Sequence, residues 1–172
     1  FLGIRNLTIL GKSVEIVKAT LGEDVDIYHL PLEDSRTFEM LARGEALGVF
    51  QFASSGMIRW LKELKPTNID DIMAMVALYR PGPMDFIPEY IHRKHHPETI
   101  DYPHPDLEET LKASLGLLIY QDDVMLTAIK LAGYDWLEAD KFRKAMGKKI
   151  PELMKEQESK FKGGCVKNGI SK

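Results

Sequence analysis

Asn68-Ile-Asp-Asp-Ile-Met-Ala-Met-Val-Ala-Leu-Tyr79, followed by Arg80 and Pro81-Gly82-Pro83, decides the fold class of this sequence. The first twelve residues hold a long apolar stretch that includes Met73 to Tyr79, behind a polar start suited to a helix N-terminus. The spacing predicts a helix with Ile69, Ile72, Met73, Val76 and Ala77 on its buried side. Pro81-Gly82-Pro83 then ends it, because proline removes backbone donors and bars helical geometry from the residue before it. A buried helix cut off this sharply belongs to a protein of many short, packed helices.

The flanking sequence repeats the pattern. Leu7, Leu10, Val14, Val17 and Leu21 step by three and four, predicting a helix over about 4–20 that Gly22 ends. Asp34 is placed to cap a short helix closed by Gly44, and Ser54 or Ser55 to cap one that Pro66 stops after Leu64. Past the break, a shorter helix is predicted over 84–94, and the proline-rich 95–104 loop is the best internal boundary. Asp106 is read as the cap of a helix to Ser114, and helices at 121–132, 135–147 and 151–163 complete the chain. Gly48 to Phe52 and Gly116 to Tyr120 are short strand-like runs that could pair. The expected class is mainly α, a multi-helix domain with two short β-strands.

Composition bounds the function. The chain has 172 residues, 44% of them hydrophobic and 28% charged, which is globular rather than disordered. Its formal net charge of −3 shows no global basic field. One cysteine, Cys165, rules out an internal disulfide or a cysteine-based zinc finger. No apolar run approaches the ~20 residues of a membrane span. The sequence begins at Phe1 without a methionine or a charged-then-apolar leader, so the expectation is a piece of a larger soluble protein.

Three segments are candidates for chemistry. Lys141-Phe-Arg-Lys-Ala-Met-Gly-Lys-Lys149 carries five basic residues in nine positions and no acid. At helical spacing Lys141, Lys144 and Lys148 share a stripe beside Arg143, while Phe142, Ala145 and Met146 turn inward. Such a face suits phosphate, the bland alternative being a solvated helix end with Gly147 as its stop. His92-Arg-Lys-His-His96 has metal-like histidine spacing, yet Arg93 and Lys94 put positive charge where a cation would sit. A phosphate-contacting patch or a solvated helix end is the better account of it. Ser54-Ser55-Gly56 at a helix start offers backbone donors to an anion, or simply caps the helix. The paired acids Asp70-Asp71, Glu108-Glu109 and Asp122-Asp123 diverge by about 100° on a helix, so one of each pair usually faces solvent. No catalytic triad can be assembled.

Taken in order, Phe1-Leu-Gly-Ile-Arg-Asn-Leu-Thr8, Gly48-Val-Phe-Gln51, Ser54-Ser-Gly-Met57, Leu64-Lys-Pro-Thr67, Ala77-Leu-Tyr-Arg-Pro-Gly-Pro-Met84, Arg93-Lys-His95, His104-Pro-Asp-Leu107, Tyr120-Gln121 and Arg143-Lys-Ala-Met-Gly-Lys-Lys149 resemble the family C replicative polymerases, the bacterial DNA polymerase III alpha subunits. The resemblance covers nearly the whole chain and implies palm-edge or connecting helices over 1–45 and a fingers domain over 46–172, with a sub-boundary at 95–105. It implies a DNA-directed DNA polymerase, a cytoplasmic enzyme in which this part binds the incoming deoxynucleoside triphosphate and primer–template DNA. Arg143 and Lys144 are the expected triphosphate contacts, with Lys148 and Lys149 secondary. Arg80, Gln51, Ser54, Ser55 and Gly56 are expected near the nucleotide, and Arg59, Arg93 and Lys94 on backbone phosphates.

Departures from the family pattern are also visible. Lys144 stands where a second arginine is usual, Ile58 where a base is common, and Asp122-Asp123 where an acid–amide pair is more usual. The family's Mg²⁺ is held by three palm aspartates expected to lie outside this chain, so no catalytic or metal residue is expected here, and the chain alone is expected to be inactive. Other replicase subunits would be met through regions absent here. The alternative is a non-catalytic helical interaction module with a solvated basic face.

Overall fold

The computed structural model describes residues 4–148 and 150–170, and all structural statements below concern these. The chain divides into two units, Phe1–Asp34 and Ser35–Lys172. The division falls ahead of the expected boundary at residue 45, because the helix after Asp34 packs on the one that follows it. In the first unit, α1 (Arg5–Leu21) ends as its sequence predicts, with Gly22 left-handed at φ 71° and its N–H on the Lys18 carbonyl.

The second unit holds α2 (Ser35–Ala42), α3 (Ser55–Leu64), α4 (Ile69–Leu78), α5 (Ile87–His95), α6 (Glu108–Leu111), α7 (Gln121–Ala132), α8 (Trp136–Lys148) and α9 (Pro151–Lys167). Short 3-10 turns at Pro83–Phe86, Pro97–Thr99 and Pro105–Leu107 begin at prolines, whose fixed φ suits a first helical position. Ser54 caps α3 by accepting from the Met57 N–H at 3.3 Å, and Asn68 caps α4 by accepting from Asp71 at 2.9 Å. Among the described residues no helix is long and apolar enough to cross a membrane.

Four expectations are corrected. The described residues contain no strand. The 48–52 run is a set of turns, with Gly48 at φ 81° and Gln51 at φ 64°. The 116–120 run has no strand partner because the Asp123 carboxylate takes the Ile119 and Tyr120 N–H groups at 2.9 and 2.8 Å. Its Leu115 carbonyl accepts from Arg93 at 2.9 Å. The cap ahead of α6 is His104, which accepts from the Asp106 N–H at 3.2 Å, and α6 stops at Leu111. α8 runs through Gly147 to Lys148. The buried face of α4 is Asp71, Ala74, Met75 and Leu78, while Met73 is exposed.

That last shift has a physical cause. The Asp71 side chain is 4% exposed and Lys94, on α5, is 12% exposed, and the two meet at 2.6 Å. Asp71 also accepts from the Thr67 N–H at 2.8 Å, the Thr67 hydroxyl at 3.3 Å and the Tyr90 hydroxyl at 3.4 Å. A fully partnered carboxylate is therefore stable on the inner side. Burial, then the charge of Asp71, pushes the Tyr90 phenol well above its ordinary range. Around this network pack Leu41, Phe52, Met57, Leu61, Leu64, Met75, Leu78 and Ile87.

A second core joins α7, α8 and α9 through Ala128, Ala132, Tyr134 and Ala139, with Phe142 and Phe161 stacked at 5.7 Å. Gly164 lets α9 approach α7, since a Cβ there would collide with the Ala132 carbonyl, whereas one on Gly163 would meet nothing within 4 Å.

Two stability predictions follow from these contacts. Lys94→Met strands a buried carboxylate and should cost about 3–5 kcal/mol in denaturant unfolding. Adding Asp71→Asn to Lys94→Met should recover part of that loss, and equal or greater destabilisation of the double variant would contradict it. The adjacent glycines should answer with opposite signs. Gly163→Ala should stabilise by about 0.5–1 kcal/mol through helix propensity. Gly164→Ala should destabilise by about 1–3 kcal/mol through overpacking, read as a lower thermal midpoint.

Candidate functional site

α7 and α8 are joined across Gly133, which sits at φ 69°, and α8 opens with a reciprocal pair. Glu138 accepts from the Asp135 N–H at 3.1 Å, and Asp135 accepts from the Glu138 N–H at 2.8 Å. With Ala139 and Ala145 buried and Phe142 half-buried against the second core, the helix has only one way round. Arg143, Lys144 and Lys148 consequently line an open cleft of about 530 Å³. Its other walls are Pro83, Leu118 to Gln121, Val124, Met146 and Gly147.

The cations in this cleft are organised. The Asp140 Oδ1 accepts from Arg143 Nε at 3.1 Å and Nη2 at 2.7 Å, and its Oδ2 pairs with Lys144 Nζ at 2.6 Å. Hydrogen bonds from Lys144 and then Arg143 hold the Asp140 carboxyl below the usual carboxylate range, so it is ionised at neutral pH. Gln121 Oε1 takes a further donor, Arg143 Nη1, at 3.0 Å from the facing helix. Three cations against one carboxylate leave the cleft net positive. Lys148 has no ion-pair partner among the described residues. Lys149 lies outside them.

The remaining sequence candidates fall in three places. Arg80 starts the turn that delivers Pro83 to the cleft, with its Nη2 donating to the Val76 carbonyl at 3.2 Å and its own carbonyl accepting from Met84 at 3.2 Å. Gly82 within that turn sits at φ 100°, ψ −74°, a conformation that suits glycine. Ser54, Ser55 and Gly56 open α3 beside Tyr79, whose hydroxyl lies 3.5 Å from the Ser54 hydroxyl and would clash with any Cβ on Gly56. Gln51 precedes them in a left-handed turn. This places the start of α3 next to Tyr79, one residue before Arg80 in sequence, but not in the lining of the Arg143 cleft.

Arg59 is largely exposed, paired with Glu63 at 3.0 Å and lying over Trp60 at 5.2 Å. Arg93 and Lys94 are turned into the protein. Arg93 binds Glu89 at 2.6 Å and the Asp101 and Leu115 carbonyls at 3.1 and 2.9 Å. Lys94 is engaged by Asp71 and by the Thr67 hydroxyl at 2.9 Å. The described residues contain no group of three His, Cys, Asp or Glu that could hold a metal ion. The histidines instead serve locally, with His95 contacting the Glu63 carbonyl at 3.1 Å and the His92 and His96 rings tilted at 32° with centroids 4.8 Å apart.

The sequence reading gave Asp140, Pro83, Tyr79 and Gln121 no role in the site. Asp140 had a usable signal, since it precedes Arg143 and Lys144 by three and four positions, the helical pairing distance. Gln121 had none, because its partner lies 22 residues away on another helix.

A family model described as bacterial DNA polymerase III alpha subunit finger domain matches residues 6–169. The DNA polymerase III subunit alpha of Halalkalibacterium halodurans is 48% identical over 169 residues, 98% of this chain and 15% of that protein. Those of Staphylococcus epidermidis and Staphylococcus aureus strain COL are 43% identical over the same share of this chain and 16% of their own length. The chain thus spans about a sixth of the length of these relatives. Matched over nearly its whole length by that family model, this chain belongs to the finger-domain family of the bacterial DNA polymerase III alpha subunits.

Proposed function

We propose that this chain is the nucleotide-binding wall of a DNA-directed DNA polymerase, in which Arg143 and Lys144 receive the incoming deoxynucleoside triphosphate and Lys148 and Lys149 add charge. One observation carries the proposal: Arg143, Lys144 and Lys148 line a single cleft, with Arg143 and Lys144 held in register by Asp140. Arginine offers a planar fork and lysine a point charge to phosphate oxygens. In nucleotidyl transfer such groups align the triphosphate and neutralise the charge that develops on it, which supplies most of the rate enhancement.

Arg80 and the start of α3, with Gln51, Ser54, Ser55 and Gly56, form a second wall toward the nucleotide or primer end. Arg59 is the DNA backbone contact, since its guanidinium is exposed and held only by a helix-surface pair. Arg93 and Lys94, first expected on DNA, act instead by fixing the 115–120 segment and α4. The polymerase as a whole works in the cytoplasm with primer–template DNA and other replicase subunits. Mg²⁺, which the family implies, would be held by ligands elsewhere in the polymerase.

In the full-length polymerase, Arg143→Ala should raise the nucleotide KM by about 10- to 100-fold, the value of losing one charge-assisted contact of about 1.5–3 kcal/mol. Lys144→Ala should act in the same direction. An unchanged nucleotide KM in both would remove the assignment.

Arg59→Ala should weaken primer–template binding equally across sequences and reduce the slope of log K against log salt by about one. A binding curve insensitive to salt would favour the alternative, a helical interaction module whose basic face is merely solvated.

A further inference from the structure

The geometry points to Gln121 as a positioning residue that, with Asp140, clamps the Arg143 guanidinium from two helices so that its remaining donors face the cleft. The inference rests on the cleft being the triphosphate site and goes beyond it by naming what orients its principal cation.

Arg143 carries five N–H donors in one plane. Nε and Nη2 reach Asp140 on the same helix, and Nη1 reaches Gln121 at the first position of α7. One acceptor alone would let the group swing about that contact. Two acceptors on different helices fix the plane, which reduces the side-chain freedom lost when phosphate binds.

Gln121 is itself held. The Asp123 side chain is buried, and its carboxylate takes the backbone N–H groups of Ile119 and Tyr120, so the approach to α7 cannot shift. Asp122, its neighbour, points to solvent. An amide is also the fitting chemistry for this position. Its carbonyl oxygen grips the guanidinium without adding a second anion to a cleft that must admit a triphosphate.

The test is a double-mutant cycle in the full-length polymerase, read as the nucleotide KM and kcat. Gln121→Met keeps the length of the side chain and removes the acceptor, and Gln121→Asn shortens its reach. Each should raise the nucleotide KM by about five-fold, the net value of one ordinary hydrogen bond, because the effect reaches the nucleotide only through Arg143, with the thermal midpoint unchanged at this exposed site. In an Arg143→Ala background the same substitutions should change the KM no further, because nothing is left to orient. A full additional loss in that background would mean that Gln121 meets the nucleotide directly, and no loss in the parent enzyme would mean that the clamp is idle. Either overturns the positioning role while leaving the cationic cleft intact. If Arg143→Ala itself leaves the KM unchanged, the cleft assignment falls and the clamp falls with it.

Discussion

The ion pair between Asp71 and Lys94 ties α4 to α5 across the Pro81-Gly82-Pro83 break, and much of the second unit is arranged around it. The two prolines remove backbone donors from that turn, which is spanned by the hydrogen bond from the Met84 N–H to the Arg80 carbonyl at 3.2 Å. Its geometry is set by the helices on either side. With Thr67 and Tyr90 completing the coordination of Asp71, both carboxylate oxygens have donors, Oδ2 from Lys94 and Thr67 and Oδ1 from Tyr90, which is the condition under which burying such a pair is tolerable. Once α4 and α5 are locked, Arg80 and Pro83 have a fixed place, and Pro83 becomes one wall of the cationic cleft.

Asp123 does the equivalent work at the other wall. Burial raises its carboxyl above the ordinary range even though the Tyr120 and Ile119 N–H groups oppose that shift. The charge is therefore held at some cost, in exchange for a defined path from Gly116 to Gln121. Arg93 closes the start of the same segment through the Leu115 carbonyl. Two buried acids and one internal arginine thus organise backbone, while the acid at the rim, Asp140, organises side chains. The distinction is one of desolvation: the buried carboxylates need several donors to remain charged, and the half-exposed one shares its charge between two cations.

The helices were legible because local rules govern them. Gly22, Ser54 and Asn68 end or begin their helices as capping chemistry requires. The divergence of adjacent acids was readable for two of the three pairs, since Asp71 and Asp123 turn inward while Asp70 and Asp122 face solvent, whereas Glu108 and Glu109 are both exposed. The two apolar runs were misread as strands for an identifiable reason. Four or five apolar residues look alike whether they pair with a strand or pack on helices. In the 116–120 run the Asp123 side chain took the Ile119 and Tyr120 N–H groups, and in the 48–52 run local turns did, Val49 donating to Ala46 and Phe52 to Val49. Arg93 and Lys94 show the same limit in the site. Basic residues in a cluster read as a phosphate surface until a buried acid or a backbone carbonyl is found against them.

By itself the sequence determined that this protein is a chain of short helices, where most of them start and stop, and that a cationic stripe runs along Lys141 to Lys149 within an acidic whole. These follow from interactions within one or two helical turns, which composition and spacing encode directly. Only the tertiary structure decided which cations are engaged inside the protein and which face a cleft, and that Gln121 meets Arg143. Those outcomes depend on contacts between residues about 20 positions apart, and no local periodicity carries the information that brings them together.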